Sequence, residues 1–326
     1  MIRKLLDLIV RFFRWLGGLM LDCVSNNPQI SIDVDTQNLN FSDLVRPTRT
    51  CQITSGSPTV DCADTSYISE GMPIKPCTQF PSGAKVSSIV TDTSITFDTN
   101  AADDGSDIDL VFIAVPCGNV EIIIQAGVTI SSDDAPNPAI ETGDLSGYTV
   151  KLVNKGSIYG AGGKGGNGRN NTSGAPGEDG GTAIKASSKI AVVNKNTIAG
   201  GGGGGGGGGD GDTESSAGAY GGSGGGGCGS SGGPGGTWYG TGGTATLTTP
   251  GTGHAGRADS LFANDYLGGT GGTGGMVGEN GNDGGDGLRN GSFWNAGGAG
   301  GEAGYYIDGI ANVQFQNNGT ALGRVT

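Results

Sequence analysis

The chain has 326 residues and carries 18 basic against 31 acidic side chains, a net charge of −13. That length allows about two ordinary domains, and the acidic balance excludes a nucleic-acid binder, which needs a basic face. Seventy residues are glycine, about three times the usual share, and most of them follow Gly156.

Residues 1–24 stand apart. Ile2, Leu5, Ile9, Phe12, Leu16 and Leu19 follow the 3-4 spacing of a coiled-coil seam, with Arg3, Lys4, Asp7, Arg11 and Arg14 on the opposite side. The spacing predicts a short amphipathic helix that stops near Gly17–Gly18. Three roles stay open for it. It attaches the chain to a partner or to copies of itself, with a homotrimer as one outcome. It lies on a membrane surface, as Trp15 and the phenylalanines opposite a basic face allow. Or it is a signal peptide, although charges run through it and no small-residue cleavage site follows. It is too interrupted by charge for an ordinary transmembrane span.

Residues 25–150 read as a β domain. Ile30-Ser31-Ile32-Asp33-Val34 alternates with period two, as do Lys85–Phe97, Leu110–Val115 and Val120–Ile130. Ser55-Gly56-Ser57-Pro58 and Pro81-Ser82-Gly83 are turns between strands, and about 48–116 forms a small module. Cys51 and Cys62 are symmetric about the first turn, so a hairpin sets them opposite each other. They are either a disulfide or small apolar core residues of a protein made in a reducing cell. No C-x-x-C occurs, which argues against zinc.

Residues 151–326 hold a repeat and the glycine. Val153-Asn154-Lys155-Gly156-Ser157-Ile158-Tyr159-Gly160 recurs as Val193-Asn194-Lys195-Asn196-Thr197-Ile198-Ala199-Gly200, and loosely as Asn317-Asn318-Gly319-Thr320-Ala321-Leu322-Gly323. Each copy reads as a strand and turn, the first two feeding glycine tracts and the third closing the chain. From Gly269 to Gly287 every third residue is glycine, the period of a polyproline-II helix. A flexible linker keeps no such phase, and collagen needs proline that this stretch lacks. Ordering the backbone costs about 1–2 kcal/mol per residue, so lone segments of this kind cannot persist. The fold class expected is therefore mainly β with a bundle of packed polyglycine type II helices, the absent Cβ atoms letting backbones exchange hydrogen bonds.

Large aromatics interrupt the glycine: Tyr220, Trp238, Tyr239, Phe262, Tyr266, Phe293 and Trp294. A glycine bundle offers few apolar pockets, so these are expected on loops or edges, as contact residues or as covers packed over the bundle. Tyr305 and Tyr306 read as packing residues. Asp210, Asp212, Asn282, Asp283 and Asp286 mix with glycine as repeat-type calcium sites do, but no nonapeptide period is sustained. Solvated loops are the better reading, and neither metal nor cofactor is expected. Gly229-Ser230-Ser231-Gly232-Gly233 matches a nucleophile elbow only formally, without the strand and helix that motif requires. His254 is the single histidine, and no enzyme is expected.

The repeat before its glycine tracts resembles the glycine-rich tips of tailed-phage fibres and central tail-tip proteins. Val128-Thr129-Ile130-Ser131-Ser132, Pro138-Ala139-Ile140-Glu141-Thr142-Gly143 and the ending Gly319–Gly323 extend the likeness over most of 30–45 and 120–326. The stretch from Gly71-Met72-Pro73-Ile74 to Val86-Ser87-Ser88-Ile89 is similar to a small β module of phage structural proteins. The resemblance implies a receptor-binding tip related in design to T-even-type fibre adhesins, made in the host cytoplasm and carried on the virion tail. Its loops would contact a bacterial outer-surface protein or glycan. The helix at 1–22 is not part of that family pattern, and its expected role in binding other tail proteins rests on its own amphipathic spacing. The alternative is a structural fibre component without receptor contact.

Overall fold

The computed structural model describes residues 29–45, 47–62, 64–65, 68–75, 77–91, 93–113, 118–168, 172–211, 219–237, 240–258 and 266–326. The expected attachment helix with Ile2, Leu5, Ile9, Phe12, Leu16 and Leu19 lies outside these residues, as do Trp238, Tyr239 and Phe262. Among the described residues the regular structure is nearly all strand. The exceptions are a five-residue helix, Phe41–Val45, and a 3-10 turn, Ile310–Asn312. Two compact units interleave along the chain. One holds 40–121 and 144–150 with the residues up to Ile30, the other 31–39, 122–143 and 151–326.

The first unit is built on a five-stranded antiparallel sheet in the order Val86–Val90, Ser94–Phe97, Thr59–Cys62, Thr48–Ile53, Gly105–Val111. Period-two alternation turns Val60, Cys62, Ile95 and Phe97 to one face. There they meet Ile74, Phe80, Leu110 and Phe112 in a single core, with the Phe80 and Phe97 rings 4.5 Å apart. Gly56 takes φ 78° in the turn of the first hairpin, which sets Cys51 directly opposite Cys62. The two are joined by a disulfide.

The second unit is a three-sided stack of parallel strands. Each side is a five-stranded sheet. The first side runs Gln29–Ile32, Asn119–Ile124, Thr149–Asn154, Ile190–Asn194, Val313–Asn317. The second runs Thr36–Gln37, Thr129–Ser131, Ser157–Tyr159, Thr197–Ala199, Thr320–Leu322. The third runs Leu39–Asn40, Ile140–Glu141, Ile184–Lys185, Tyr305–Asp308, Arg324–Val325. The chain visits the sides in turn and climbs one strand spacing per circuit, giving five rungs of a β-solenoid. Its interior is stacked aliphatic side chains: Ile130, Ile158 and Ile198 on one side, Ile140, Ile184 and Ile307 on another, all fully buried.

The sequence repeat occupies this stack in register. Ser157, Thr197 and Thr320 pair in succession, so the three copies lie one above another on the last three rungs. At the corner before them, Asn154 donates from Nδ2 to Asn194 Oδ1 at 2.9 Å, and Asn194 Nδ2 donates to Asn317 Oδ1 at 2.8 Å. Asn194 also donates to the carbonyls of Asn196 and Thr320. This ladder satisfies the buried amide where the corner leaves backbone groups without ladder partners.

Between the second and third sides, the third rung gives out residues 160–183 and the fourth gives out 200–304. The described residues of these insertions form mostly extended segments joined to one another by backbone hydrogen bonds. The run Gly200–Gly209 is their axis. Residues 201, 204 and 207 donate to the carbonyls of 181, 178 and 175; residues 202, 205 and 208 to 228, 225 and 222; residues 203, 206 and 209 to 279, 282 and 285. Three further segments donate back, through Gly163 and Gly166, Gly269, Gly272 and Gly275, and Gly298, Gly301 and Gly304. The axial run is thus surrounded on all sides by backbone. A methyl group at Gly204 would collide with the Lys164 carbonyl, and its neighbours in the run meet similar obstacles. Away from the axis one side of a segment is free, and there the third residue of each triplet carries a side chain, such as exposed Thr270.

Candidate functional site

The glycine lattice has two ends. At the near end Ser230 Oγ donates to the carbonyl of Ser132 at 2.7 Å, and the Gly200 amide donates to Leu322, so the lattice is fastened to the solenoid. Arg324 secures the same end, pairing with Glu302 and Asp179 while its guanidinium lies 4.3 Å from the Tyr305 ring centre. At the far end Asp210 bonds to Thr172, Gly211 to Ala219 and Arg257 to Tyr220 through backbone groups. Half-buried Tyr220 therefore belongs to the far end.

Also at the far end is a three-stranded antiparallel sheet, Tyr266–Leu267, Gly287–Arg289 and Ser292–Asn295. Asn295 Nδ2 donates to the Asp210 carbonyl and ties the sheet to the tip of the axial run. Asn290 and Gly291 make the hairpin with φ 51° and 69°, the Asn-Gly pairing that a two-residue primed turn requires. Such a turn makes Arg289 and Ser292 the hydrogen-bonded pair that closes the hairpin. Alternation then sorts the side chains. Tyr266 and Arg289 share one face, and Leu267, Leu288 and Phe293 share the other. A register irregularity beside Gly287 and Leu288 leaves Trp294 on the arginine side.

Arg289 lies between two rings, its guanidinium carbon 5.4 Å from the centre of Tyr266 and 4.9 Å from that of Trp294. Cation–π contacts of this kind are worth about 0.5–2 kcal/mol each and hold the rings in one orientation. Phe293 is 62% exposed and Trp294 38%, with Leu267 beside them at 37%. An isolated exposed leucine is ordinary, whereas here large apolar groups from two strands of one small sheet are exposed together. Of the aromatic residues singled out in the sequence, the structure gathers Tyr266, Phe293 and Trp294 here. Arg289, which lies between Tyr266 and Trp294, was not singled out in the sequence, where nothing shows that Tyr266 comes to lie beside it. The Asn-Gly dipeptide at 290–291 was the signal that could have found the hairpin.

The other polar candidates serve the structure. Asn280, Asp283 and Asp286 accept from the amides of Ala303, Gly300 and Gly297 at 2.7, 2.8 and 2.9 Å. Their three-residue spacing stitches one segment to its antiparallel neighbour. Among the described residues no cluster of acidic, histidine or cysteine side chains is arranged to hold a metal. His254 Nδ1 sits 2.7 Å from the Ala255 carbonyl. Cys228 is fully buried with its sulfur 3.9 Å from that of Met276. Burial, aided by Glu279, pushes its thiol pKa up, which leaves it unreactive while the lattice is intact. No described helix is long and apolar enough to cross a membrane.

The architecture is thus a parallel β-solenoid that gives out a hydrogen-bonded glycine lattice, with a small aromatic-bearing sheet at the lattice's far end. The sequence profile of the family Phage tail fibre adhesin Gp38 matches residues 92–326. The chain belongs to that family, which makes it a bacteriophage tail-fibre adhesin and implies a place on the virion tail. Among solved structures it is similar to the crystal structure of the gp37-gp38 adhesin tip complex of the bacteriophage S16 long tail fiber. The identity is 30% and the TM-score 0.40, covering 64% of this chain and 72% of that one. A comparison with curated protein sequences gave no match.

Proposed function

We propose that this chain recognises the bacterial surface directly, through the far end of its glycine lattice. The observation that carries the reading is the pairing of Tyr266 and exposed Trp294 around Arg289 on one face of the far-end sheet, with exposed Phe293 on the other, at the end remote from the solenoid anchor. Aromatic groups already held in place lose little entropy on binding and are the usual anchors of an interface. The scaffold fits that role. Its segments, bonded at every third residue around Gly200–Gly209, are polyglycine type II helices packed side by side. Their stiffness presents loops without needing a hydrophobic core. In this reading residues 1–24 attach the chain to other tail proteins, with the seam from Ile2 to Leu19 able to form a trimer. Residues 25–150 act as spacer and residues 151–326 face an outer-surface protein or glycan. The role is binding, not catalysis.

The test is competition. Purified chain added before infection should block adsorption of the parent phage. Combined Phe293→Ala and Trp294→Ala should weaken that block about tenfold or more, with the thermal midpoint lowered only slightly, by loss of the Trp294 contact to Arg289. A full block by the double variant would reject these residues, and failure of the unaltered chain to block would favour a purely structural fibre component.

A further inference from the structure

The far-end sheet has two features that packing does not use. The first is Arg289. It is partly buried, stacked between Tyr266 and Trp294, and has no carboxylate partner among the described residues, in a chain with a net charge of −13. Arg324, a partly buried arginine on the last rung of the solenoid, is by contrast paired with Glu302 and Asp179. Contacts to two ring faces do not use up the guanidinium N–H groups, the donors that grip a carboxylate or phosphate with paired hydrogen bonds.

The second feature is the strand Ser292–Asn295, which is the edge of its sheet. Since Arg289 and Ser292 close the hairpin, the amide and carbonyl of Phe293 point away from the sheet. No backbone partner on that side is present among the described residues. The strand carries no lysine, proline or other guard that edge strands commonly have, and Ser292, Phe293 and Trp294 are all exposed. An unguarded edge of this kind accepts an added strand from another chain.

The two features address one ligand. A strand added along Ser292–Asn295 lies two strand spacings from the strand of Arg289, about 10 Å. An arginine and a glutamate reaching toward each other cover that distance, and the small Ser292 between them leaves the path open. Resting on the reading that this end contacts the bacterium, we infer that Ser292–Asn295 and Arg289 form a docking site for an extended polypeptide segment bearing a carboxylate on the bacterial surface. The added strand takes its backbone hydrogen bonds from Phe293, and its acidic side chain pairs with Arg289. Charge complementarity selects an acidic segment, and the open backbone edge selects a polypeptide over a glycan.

The experiment measures binding of the labelled full chain to cells of a strain the parent phage infects. Four protein forms are used: unaltered, Arg289→Gln, Arg289→Lys and Ser292→Lys. The cells are untreated, protease-shaved or periodate-oxidised. Loss of a charged hydrogen-bonded pair should lower affinity about tenfold to a hundredfold for Arg289→Gln. Arg289→Lys, which keeps charge but not the planar fork, should fall in between. Ser292→Lys leaves Arg289 and its rings in place and should still block docking, by guarding the edge. Binding should vanish on shaved cells and survive periodate. Unaltered binding by Arg289→Gln or by Ser292→Lys overturns the inference while leaving the adhesin reading intact. Binding that survives shaving and is lost on oxidation also overturns it, in favour of a glycan anion. Absence of binding by the unaltered chain overturns the adhesin reading and this inference with it.

Discussion

A single methyl group added at Gly204 is expected to destabilise the glycine lattice by about 3–5 kcal/mol, in the range of severe core overpacking. Gly204 sits in the axial run. Its amide donates to Glu178, its carbonyl accepts from Gly301, and the space where a Cβ would stand is filled by the Lys164 carbonyl. Backbone cannot rotate aside as a side chain can, so three segments must separate and their hydrogen bonds lengthen together. Gly285→Ala is the matched control. There the nearest atoms to an added Cβ are the amide nitrogen and hydroxyl of Thr270, both at 3.2 Å, and the cost should stay within about 1 kcal/mol. Alkylation of Cys228 followed by mass spectrometry reports the difference. That thiol is fully buried in the lattice and should react at a lower denaturant concentration in Gly204→Ala, with little change in Gly285→Ala. Equal behaviour of the two variants would mean that close backbone packing is not what holds the lattice.

Replacing Asn194 with leucine is expected to cost about 3–5 kcal/mol, with most of the loss in the solenoid. The side chain is fully buried and stands in the middle of the ladder. It accepts from Asn154 and donates to Asn317, and its amide also reaches the carbonyls of Asn196 and Thr320. Leucine is close in size, so the penalty comes from stranded polar groups in a dry corner and not from a cavity. Asn317→Leu removes the terminal member, where Asn317 is exposed, and should cost less than half as much. Urea unfolding followed by far-ultraviolet circular dichroism measures both. A larger loss at Asn317 than at Asn194 would contradict the ladder.

Much of the lattice was legible in the sequence, and most of the solenoid was not. Glycine at every third residue reports directly on a backbone that others approach closely, because no other residue fits there. The repeat also announced itself, through Asn154, Asn194 and Asn317. Yet its stacking into rungs was hidden by the insertions. Ladder neighbours are 40 residues apart in one step and 123 in the next, so no fixed period marks the solenoid. The third and fourth rungs also take their third side from beyond a glycine excursion: Ile184 follows residues 160–183, and Tyr305 follows 200–304. The strands of that side are as short as two residues, too brief for alternation to betray them.

At the candidate site the aromatics were visible as interruptions of glycine, but their assembly was not. Tyr266 and Trp294 come to flank Arg289 only because the hairpin at Asn290-Gly291 folds Ser292–Asn295 back onto Gly287–Arg289. Asn280, Asp283 and Asp286 show the same limit from the other direction. The acidic character of Asp283 and Asp286 suggested solvated loops or an ion, whereas the three-residue spacing they share with Asn280 was the informative part, matching the amides of an antiparallel neighbour.

The central claim is that the far end of the lattice, and not the solenoid, meets the bacterium. Site-specific photo-crosslinking tests it most directly. A benzophenone side chain is placed at Phe293, on the far-end sheet, or at Leu322, on the last rung, positions 62% and 40% exposed. Each protein is then irradiated on intact cells of a susceptible strain. The account predicts crosslinks to a bacterial surface component from position 293 and none from position 322. Crosslinks from 322 with none from 293 would contradict it.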